Sequence, residues 1–192
     1  MLSKLQISEN KNLTLNLLSL VSRPGITDLT EYLETSSFFD SPASTKYHNN
    51  FPGGLCLHSL IVTRMFSKRN EKLENSLPLD SVILCGILHD LCKVGYYHQE
   101  GEVWKSDKTH PANQLHGCLS VQIAEQYIKL TPEEEAVIKF HMGLFSVYGY
   151  VKEYSAEELH EAISMYPSVQ IFAACDNEEA HMKTKVRYNH ES

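Results

Sequence analysis

The sequence lacks the cysteine spacing of a disulfide framework or a zinc ribbon. Its five cysteines are an odd number, and none of them forms a Cys-x-x-Cys pair. Closely spaced, paired cysteines are typical of secreted disulfide-rich domains and of thiolate zinc sites. We therefore expect reduced thiols in a cytoplasmic protein, with the cysteines acting as small hydrophobic side chains and not as metal ligands.

Positive charge is also scarce. The 192 residues contain 17 lysines and arginines against 24 aspartates and glutamates, which gives a formal net charge of -7. Binding of long nucleic acid depends on basic side chains that neutralise phosphates, so a long nucleic acid partner is disfavoured. A small phosphorylated substrate stays open, because a bound metal ion can supply positive charge locally.

Long hydrophobic runs are missing too. The most leucine-rich stretch, residues 13–21, is interrupted by Asn16 and Ser19, and no small-residue cleavage pattern follows it. A membrane span needs roughly 20 apolar residues, and a secretory signal needs a cleavage site. We expect an amphipathic helix at this position and no membrane association.

What the sequence does contain is a series of amphipathic helical segments separated by turn signals. Helices are predicted over residues 13–21, 27–34, 55–69, 79–92, 116–129, 132–140, 155–165 and 166–183. Threonine or serine caps and early glutamates mark several of the helix starts, and proline or glycine marks several ends.

Between these helices lie two segments of other composition. Residues 36–54 are rich in serine, proline, asparagine and glycine with embedded aromatics, which indicates an ordered loop packed on the body. Residues 96–114 form either a short hairpin or a long loop. With no convincing run of alternating strands, the sequence predicts one all-α domain of about seven to nine helices. It would comprise N-terminal helices (1–35), the ordered loop (36–54), a metal-binding core (55–183) and a tail (184–192).

One dipeptide stands out within the apolar helix predicted over residues 79–92. His89 and Asp90 are adjacent there, although a central hydrophobic helix has little reason to carry them. Successive helical residues point about 100° apart, so both side chains can reach a ligand on the flank of their helix. Imidazole and carboxylate are ligands for divalent cations, so the pair predicts a metal site that needs further donors.

Four further residues are candidates for those donors: His58, His116, His141 and Asp176. Each belongs to a different predicted helix. Metal sites in helical proteins are built from side chains that project inward from facing helices. The predicted metal site therefore lies between the central helices.

In this order, the candidates resemble the pattern of the HD superfamily of metal-dependent phosphohydrolases. Three local motifs strengthen the resemblance: Lys93 follows Asp90 by three positions, a Gly-Gly-Leu-x-x-His motif ends at His58, and His-Met-Gly begins at His141. The resemblance covers residues 38–182 and implies a helical bundle with a metal centre.

The resemblance implies that six residues bind metal: His58, His89, Asp90, His116, His141 and Asp176. The set without His116 and His141 would hold one divalent ion, and these two histidines would extend it to two ions bridged by Asp90. The ions would be Mn, Mg, Fe, Ni or Zn. For His116 and His141, capping a helix end or contacting the substrate stays an alternative to metal binding. Lys93 would contact a phosphate oxygen or pair with a carboxylate, and Asp90, Lys93 and His116 are the predicted catalytic residues.

The loop at residues 36–54 resembles a subgroup of small HD proteins from bacteria and phages. It contains Lys46 and His48, just before Gly53 and Gly54. An ordered loop at this place is expected to cover the metal centre, so Lys46, His48 and Lys93 are the predicted substrate-binding residues.

The resulting functional hypothesis is a phosphohydrolase or phosphodiesterase that uses a metal-activated water on a phosphate ester or anhydride of a nucleotide or short oligonucleotide. Two alternatives remain. One is an HD-type 3′–5′ exonuclease, although a family of that kind couples its HD domain to a separate nucleic-acid-binding fold, for which no residues remain here. The other is a non-catalytic regulatory module that binds metal or nucleotide. The exact substrate and the oligomeric state stay open.

Overall fold

The computed structural model describes residues 1–101, 103–149 and 152–181, and this part of the chain contains nine α-helices and one β-hairpin. The helices are α1 (Lys4–Leu18), α2 (Ile26–Thr35), α3 (Gly54–Asn70), α4 (Leu79–Leu88), α5 (His116–Ala124), α6 (Pro132–Lys139), α7 (Phe145–Tyr148), α8 (Ala156–Met165) and α9 (Pro167–His181). The strands β1 (Tyr97–Glu100) and β2 (Val103–Ser106) pair antiparallel. The all-α class is confirmed, and the segment at residues 96–114 contains a hairpin. The predicted tail, 184–192, and residues 182–183 lie outside the described residues.

Local capping sets the starts of three helices. Thr131 accepts a hydrogen bond from the Glu134 amide while the Glu134 carboxylate accepts one from the Thr131 amide, so α6 begins as predicted. Ser155 caps α8 in the same reciprocal way. The prediction for α1 was wrong at its start, because Ser3 and Gln6 form a capping box that begins the helix at Lys4.

The start of α2 also differs from the prediction. The helix begins at Ile26, one residue before the predicted start, and its N-cap is Gly25. Gly25 has a φ of 89°, and a Cβ atom at this position would lie 1.8 Å from the carbonyl oxygen of Tyr127. Glycine is therefore required both for the left-handed backbone and for the close approach of the chain after α5.

Helices α3 and α4 form the centre of the fold. Every residue of α4 from Ser81 to Leu88 is buried. The two helices pack closely at Gly86, where a Cβ atom would lie 2.0 Å from Thr63 Oγ1. One hydrophobic cluster joins them to α1, α2 and α5, and a second joins them to α6, α8 and α9. Polar side chains at the ends of α3 and α4 are thus held between two cores.

Helix α4 ends earlier than the sequence predicts. Its last residue is Leu88, and a short 3-10 turn over Leu91–Lys93 follows. Asp90, between them, has φ -104° and ψ 22°, near the sparsely populated bridge region where many active-site residues lie. The predicted helix over residues 79–92 is therefore wrong in its last turn, and His89 and Asp90 lie at a break in the helix.

The structure also shows the state of the cysteines and the length of the apolar helices. All five cysteines are free thiols, and Cys56, Cys85, Cys92 and Cys175 are buried. In the described part of the chain, no helix combines the length and the apolar character that crossing a bilayer requires.

Candidate metal centre

The structure brings the six predicted metal ligands to one place. They come from different elements: His58 from α3, His89 and Asp90 from the end of α4, His116 from the first turn of α5, His141 from the end of α6, and Asp176 from α9. Four of the side chains are at most 2% exposed, and those of Asp176 and His116 are 12% and 13% exposed. Residues separated by more than 100 positions thus contribute to one cluster.

Four donor atoms of this cluster have the spacing of ligands around one cation. His58 Nε2 lies 3.1 Å from His89 Nε2, 3.0 Å from Asp176 Oδ1 and 3.3 Å from Asp90 Oδ2. Ligands about 2.1 Å from one ion, at tetrahedral or octahedral angles, are separated by roughly 3.0–3.4 Å. The three distances from His58 Nε2 lie in this range, and those from His89 Nε2 to Asp90 Oδ2 and to Asp176 Oδ1, 3.5 and 3.7 Å, lie slightly above it.

Hydrogen bonds at the opposite ring nitrogens fix the tautomers of three histidines. The Nδ1 atoms of His89 and His141 donate to backbone carbonyl oxygens, those of Gly86 at 2.9 Å and Ile138 at 2.7 Å. The Nδ1 atom of His58 donates to the carboxylate of Glu179. In the neutral form each Nε2 atom then carries a lone pair instead of a proton. The 3.1 Å contact between His58 Nε2 and His89 Nε2 consequently needs a cation, either a proton or a metal ion.

The burial and charge of these groups also fit a divalent metal. His141 Nε2 is buried and has no hydrogen-bond partner within the described residues, although Asp90 Oδ1 lies 3.6 Å away. Burial opposes the imidazolium form of His58, but the carboxylates of Asp176, Asp90 and Glu179 outweigh it and raise the pKa of His58 well above its ordinary value. The cluster therefore attracts positive charge, and its imidazole and carboxylate donors are those of divalent metal sites.

Asp90 connects two halves of the cluster. Its Oδ2 atom faces His58 and His89. Its Oδ1 atom lies 2.9 Å from His116 Nε2 and 3.6 Å from His141 Nε2. The carboxylate thus presents one oxygen to each group of histidines.

Lys93 pairs with the carboxylate of Asp90. Its Nζ atom lies 2.6 Å from Oδ2, which is the second of the two roles expected for this residue. Burial alone would raise the pKa of Asp90, but Lys93 and His89 reverse this effect and lower it well below its ordinary value. Asp90 is therefore ionised, as a metal ligand must be.

A cavity of about 590 Å³ opens onto the cluster. Asp90 and Lys93 lie at its buried end, whereas Tyr47 and Phe145 line it where it is exposed to solvent. This volume falls within the range of small-molecule sites. The cavity is thus polar at its buried end and aromatic at its exposed wall.

The three predicted substrate-binding residues differ in their relation to this cavity. Lys93 and His48 line it, and His48 Nε2 is buried without a hydrogen-bond partner in the described part of the chain. Lys46 is exposed and lies outside the lining. His181, which is not among the predicted site residues, is exposed and also contributes to the cavity wall.

Two carboxylates that sequence reasoning missed hold elements of the centre. Glu179 lies one helical turn beyond Asp176 and contacts His58, so its i+3 spacing on a buried helix was the available signal. Glu153 accepts hydrogen bonds from the amides of Gly117 and Cys118 in the first turn of α5, which positions the helix that begins at His116. No local sequence pattern connects Glu153 with a helix more than 30 residues away.

One cysteine lies among the donors. Cys92 Sγ lies within 4.8 Å of donor atoms of Asp90 and His116. Burial raises the pKa of the Cys92 thiol far above its ordinary value, and the nearby Asp90 carboxylate adds to the shift. Without a bound metal, Cys92 is thus a neutral thiol.

A helical fold with imidazole and carboxylate donors at the end of a cavity defines a metal-binding helical domain. The model of the HD domain family matches residues 57–180, a range that contains all six candidate ligands. The chain belongs to this family, whose members bind divalent metals and are mostly hydrolases, and the resemblance found in the sequence is confirmed. Searches of curated proteins and of solved structures gave no match.

Proposed function

We propose that this protein is a metal-dependent phosphohydrolase that cleaves a phosphate ester or anhydride of a nucleotide or short oligonucleotide. One observation carries the proposal. The lone pairs of His58 and His89 converge with the carboxylates of Asp90 and Asp176 beside a cavity of nucleotide size. Such a cluster binds a cation, and the cation would face a ligand in the cavity.

We assign the six residues to two ion sites that share Asp90. His58, His89, Asp90 and Asp176 would hold the first ion. Asp90, His116 and His141 would hold the second. When bound, divalent ions supply Lewis acidity to the phosphoryl oxygens and to the attacking water. Mn, Mg, Fe, Ni and Zn are all compatible with nitrogen and oxygen donors.

The side chains of the protein itself bind and orient the phosphate in this proposal. The Lys93 ammonium keeps Asp90 ionised, and its remaining N–H bonds are available to a phosphate oxygen. Burial lowers the pKa of His48 to about 4, so at neutral pH its ring is uncharged and its Nε2 atom can make a neutral hydrogen bond. If only the first ion is bound, His116 holds no metal and is the candidate acid for the leaving oxygen. Lys46 would act only after a movement of its loop.

The exposed wall of the cavity supports a nucleotide as the substrate. Tyr47 and Phe145 offer ring faces on which a base can stack, and Asn177 offers an amide for its polar edge. The net charge of -7 disfavours long nucleic acid. We also propose that the protein is cytoplasmic, because free thiols such as its five cysteines are typical of a reducing compartment.

A substrate panel tests this proposal. Wild-type protein and the Asp90→Ala variant would be incubated with Mn²⁺ and nucleoside mono-, di- and triphosphates, cyclic nucleotides or short single strands. Phosphate or nucleoside release by the wild type, and loss of both turnover and bound metal in the variant, is the expected result. Turnover of single strands alone would favour the exonuclease. Bound metal without any turnover would favour the regulatory module, and unchanged metal content in Asp90→Ala would overturn the ligand assignment.

A further inference from the structure

Glu179 is a buried carboxylate whose two oxygens are both engaged at the edge of the metal centre. Its side chain is 1% exposed. Oε2 accepts a hydrogen bond from His58 Nδ1, and Oε1 accepts one of 2.8 Å from Asn49 Nδ2. Both oxygens act as hydrogen-bond acceptors, as the oxygens of a carboxylate do.

This contact distinguishes His58 from the two other histidines with known tautomers. His89 and His141 donate their Nδ1 protons to neutral carbonyl oxygens three residues earlier in their own segments. His58 donates to a charged group on another helix, α9. A carboxylate acceptor fixes the ring orientation and makes the opposite nitrogen a stronger metal donor. Among these three histidines, His58 is therefore expected to be the strongest metal donor through its Nε2 atom.

Asn49 in turn fixes the carboxylate from the opposite side. Its amide nitrogen has to face Glu179, because its oxygen would be repelled by the carboxylate, and Asn49 Oδ1 is buried without a partner within the described residues. The backbone of Asn49 has φ 46°, a left-handed conformation that asparagine tolerates. Its carbonyl accepts from the Ala43 amide at 3.1 Å, and a Cβ atom at Gly54 would lie 2.0 Å from that carbonyl oxygen. The side chain is thus attached to a rigid part of the loop at residues 36–54.

We infer that Glu179 is a positioning residue of the metal centre. Together with Asn49, it sets the tautomer, orientation and donor strength of His58 and thereby raises the affinity of the first ion site. This inference rests on the proposed function in one respect, namely that His58 is a metal ligand. It also explains how the ordered loop, which carries His48, is connected to α3 and α9 through a single chain of hydrogen bonds.

The test compares two neighbouring glutamates. Glu179→Gln keeps the shape of the side chain but removes its charge, whereas Glu178→Gln is the matched control on the same helix. Glu178 is 46% exposed and pairs with Arg69 away from the cavity. Dissociation constants for Mn²⁺ and Co²⁺ would be measured by equilibrium dialysis, together with the visible absorption spectrum of the Co²⁺ form.

Glu179→Gln is expected to bind the first ion about 10- to 100-fold more weakly and to change the Co²⁺ spectrum, since removal of such a partner typically costs this much. Glu178→Gln should match the wild type. Equal affinities and spectra for Glu179→Gln and wild type would overturn the inference. If the wild type binds metal and Glu179→Gln binds it more weakly while no phosphate substrate is turned over, the proposed function fails but the inference stands. If the wild type binds no metal, both fail.

A double variant separates positioning from simple loss of structure. In Glu179→Gln combined with Asn49→Asp, the glutamine amide can donate to the new carboxylate, and its oxygen can still accept from His58. The thermal midpoint of the metal-free protein should return toward the wild-type value, whereas metal affinity should stay weakened because the charge has moved away from His58. Full recovery of affinity along with stability would show that Glu179 has only a structural role.

Discussion

Two buried polar clusters lie at opposite ends of α4, and they differ in how their charges are balanced. In the first, Arg23 binds both carboxylate oxygens of Glu134 at 2.6 and 2.7 Å. The same guanidinium donates to Ser81, and the Thr131 amide donates to Glu134. Both carboxylate oxygens of this structural cluster therefore have donors, and the formal charges of Arg23 and Glu134 cancel.

The metal centre is the opposite case. Lone pairs of His58 and His89 face each other and the oxygens of Asp90 and Asp176, with one ammonium, that of Lys93, in direct contact. Burying acceptors against acceptors is costly unless a cation is added. A buried ion pair with balanced charges thus indicates a structural role, whereas a buried cluster of unbalanced acceptors indicates a site for a bound cation. We call the metal centre the incomplete cluster in this sense. Substitutions in the structural cluster should therefore change stability, whereas substitutions in the metal centre should change metal binding and turnover.

The largest effect is expected from Asp176→Asn. This change removes a charged ligand of the first ion, so turnover of any substrate identified with the panel should fall by about 10³-fold or more. Saturating Mn²⁺ should raise the thermal midpoint of the wild type by about 5–10 °C, because metal binds the folded state alone, and should raise that of the variant by less, because only the second site would keep all of its ligands. A full metal-induced shift in Asp176→Asn would mean that the incomplete cluster is not where the metal binds.

Glu134→Ala should act on stability alone. It leaves the Arg23 guanidinium, whose side chain is 20% exposed, without its carboxylate partner, so the free energy of unfolding should fall by about 3 kcal/mol in urea titrations. The control is Glu135→Ala, at an exposed position of the same helix, where a change within about 0.5 kcal/mol is expected. The metal-induced thermal shift should persist in both variants. Its loss in Glu134→Ala would contradict the separation of the two clusters.

The contribution of the structural cluster to the free energy of unfolding should also depend on pH. Burial raises the pKa of Glu134, but the hydrogen bonds from Arg23 and Ser81 prevail and lower it below its ordinary value of 4.5. Because the folded pKa is the lower one, the pair contributes stability above pH 4.5 and loses it as the pH falls through the folded pKa. The difference in free energy of unfolding between wild type and Glu134→Gln, measured in chelator, should shrink below pH 4.5. A difference that is constant from pH 7 to 3 would show that charge does not hold this pair.

Local rules account for the parts of the fold that the sequence predicted. Capping residues and periodic apolar positions located α6, α8 and the body of α3 and α4, since each signal lies within a few residues of the element it defines. The motifs of a known family located the six candidate ligands. The break of α4 at Asp90 was missed because it depends on tertiary packing rather than on a local breaker.

The features that the sequence did not predict depend on contacts between segments that are far apart in the chain. Glu179 meets His58 from 121 positions away, and Glu153 caps α5 from 36 positions away. A glutamate on a polar helix face and one that supports a metal ligand look alike in sequence. The cavity wall likewise depends on Tyr47 and Phe145, which come from a loop and from the short helix α7 that the sequence did not predict.

The smallest change in the free energy of unfolding is expected from removal of a helix cap. Such a variant separates the contribution of the cap from that of the charge within the structural cluster. Thr131→Ala removes the hydroxyl that accepts from the Glu134 amide at 3.3 Å, and loss of such a cap costs about 1 kcal/mol of unfolding free energy. Ser155→Ala, which removes the equivalent cap of α8, should cost a similar amount. Because neither change alters the charge of Glu134, both variants should keep the wild-type decline of stability below pH 4.5. A Thr131→Ala variant that loses this decline would indicate that the cap, and not Arg23, holds the carboxylate in its ionised state.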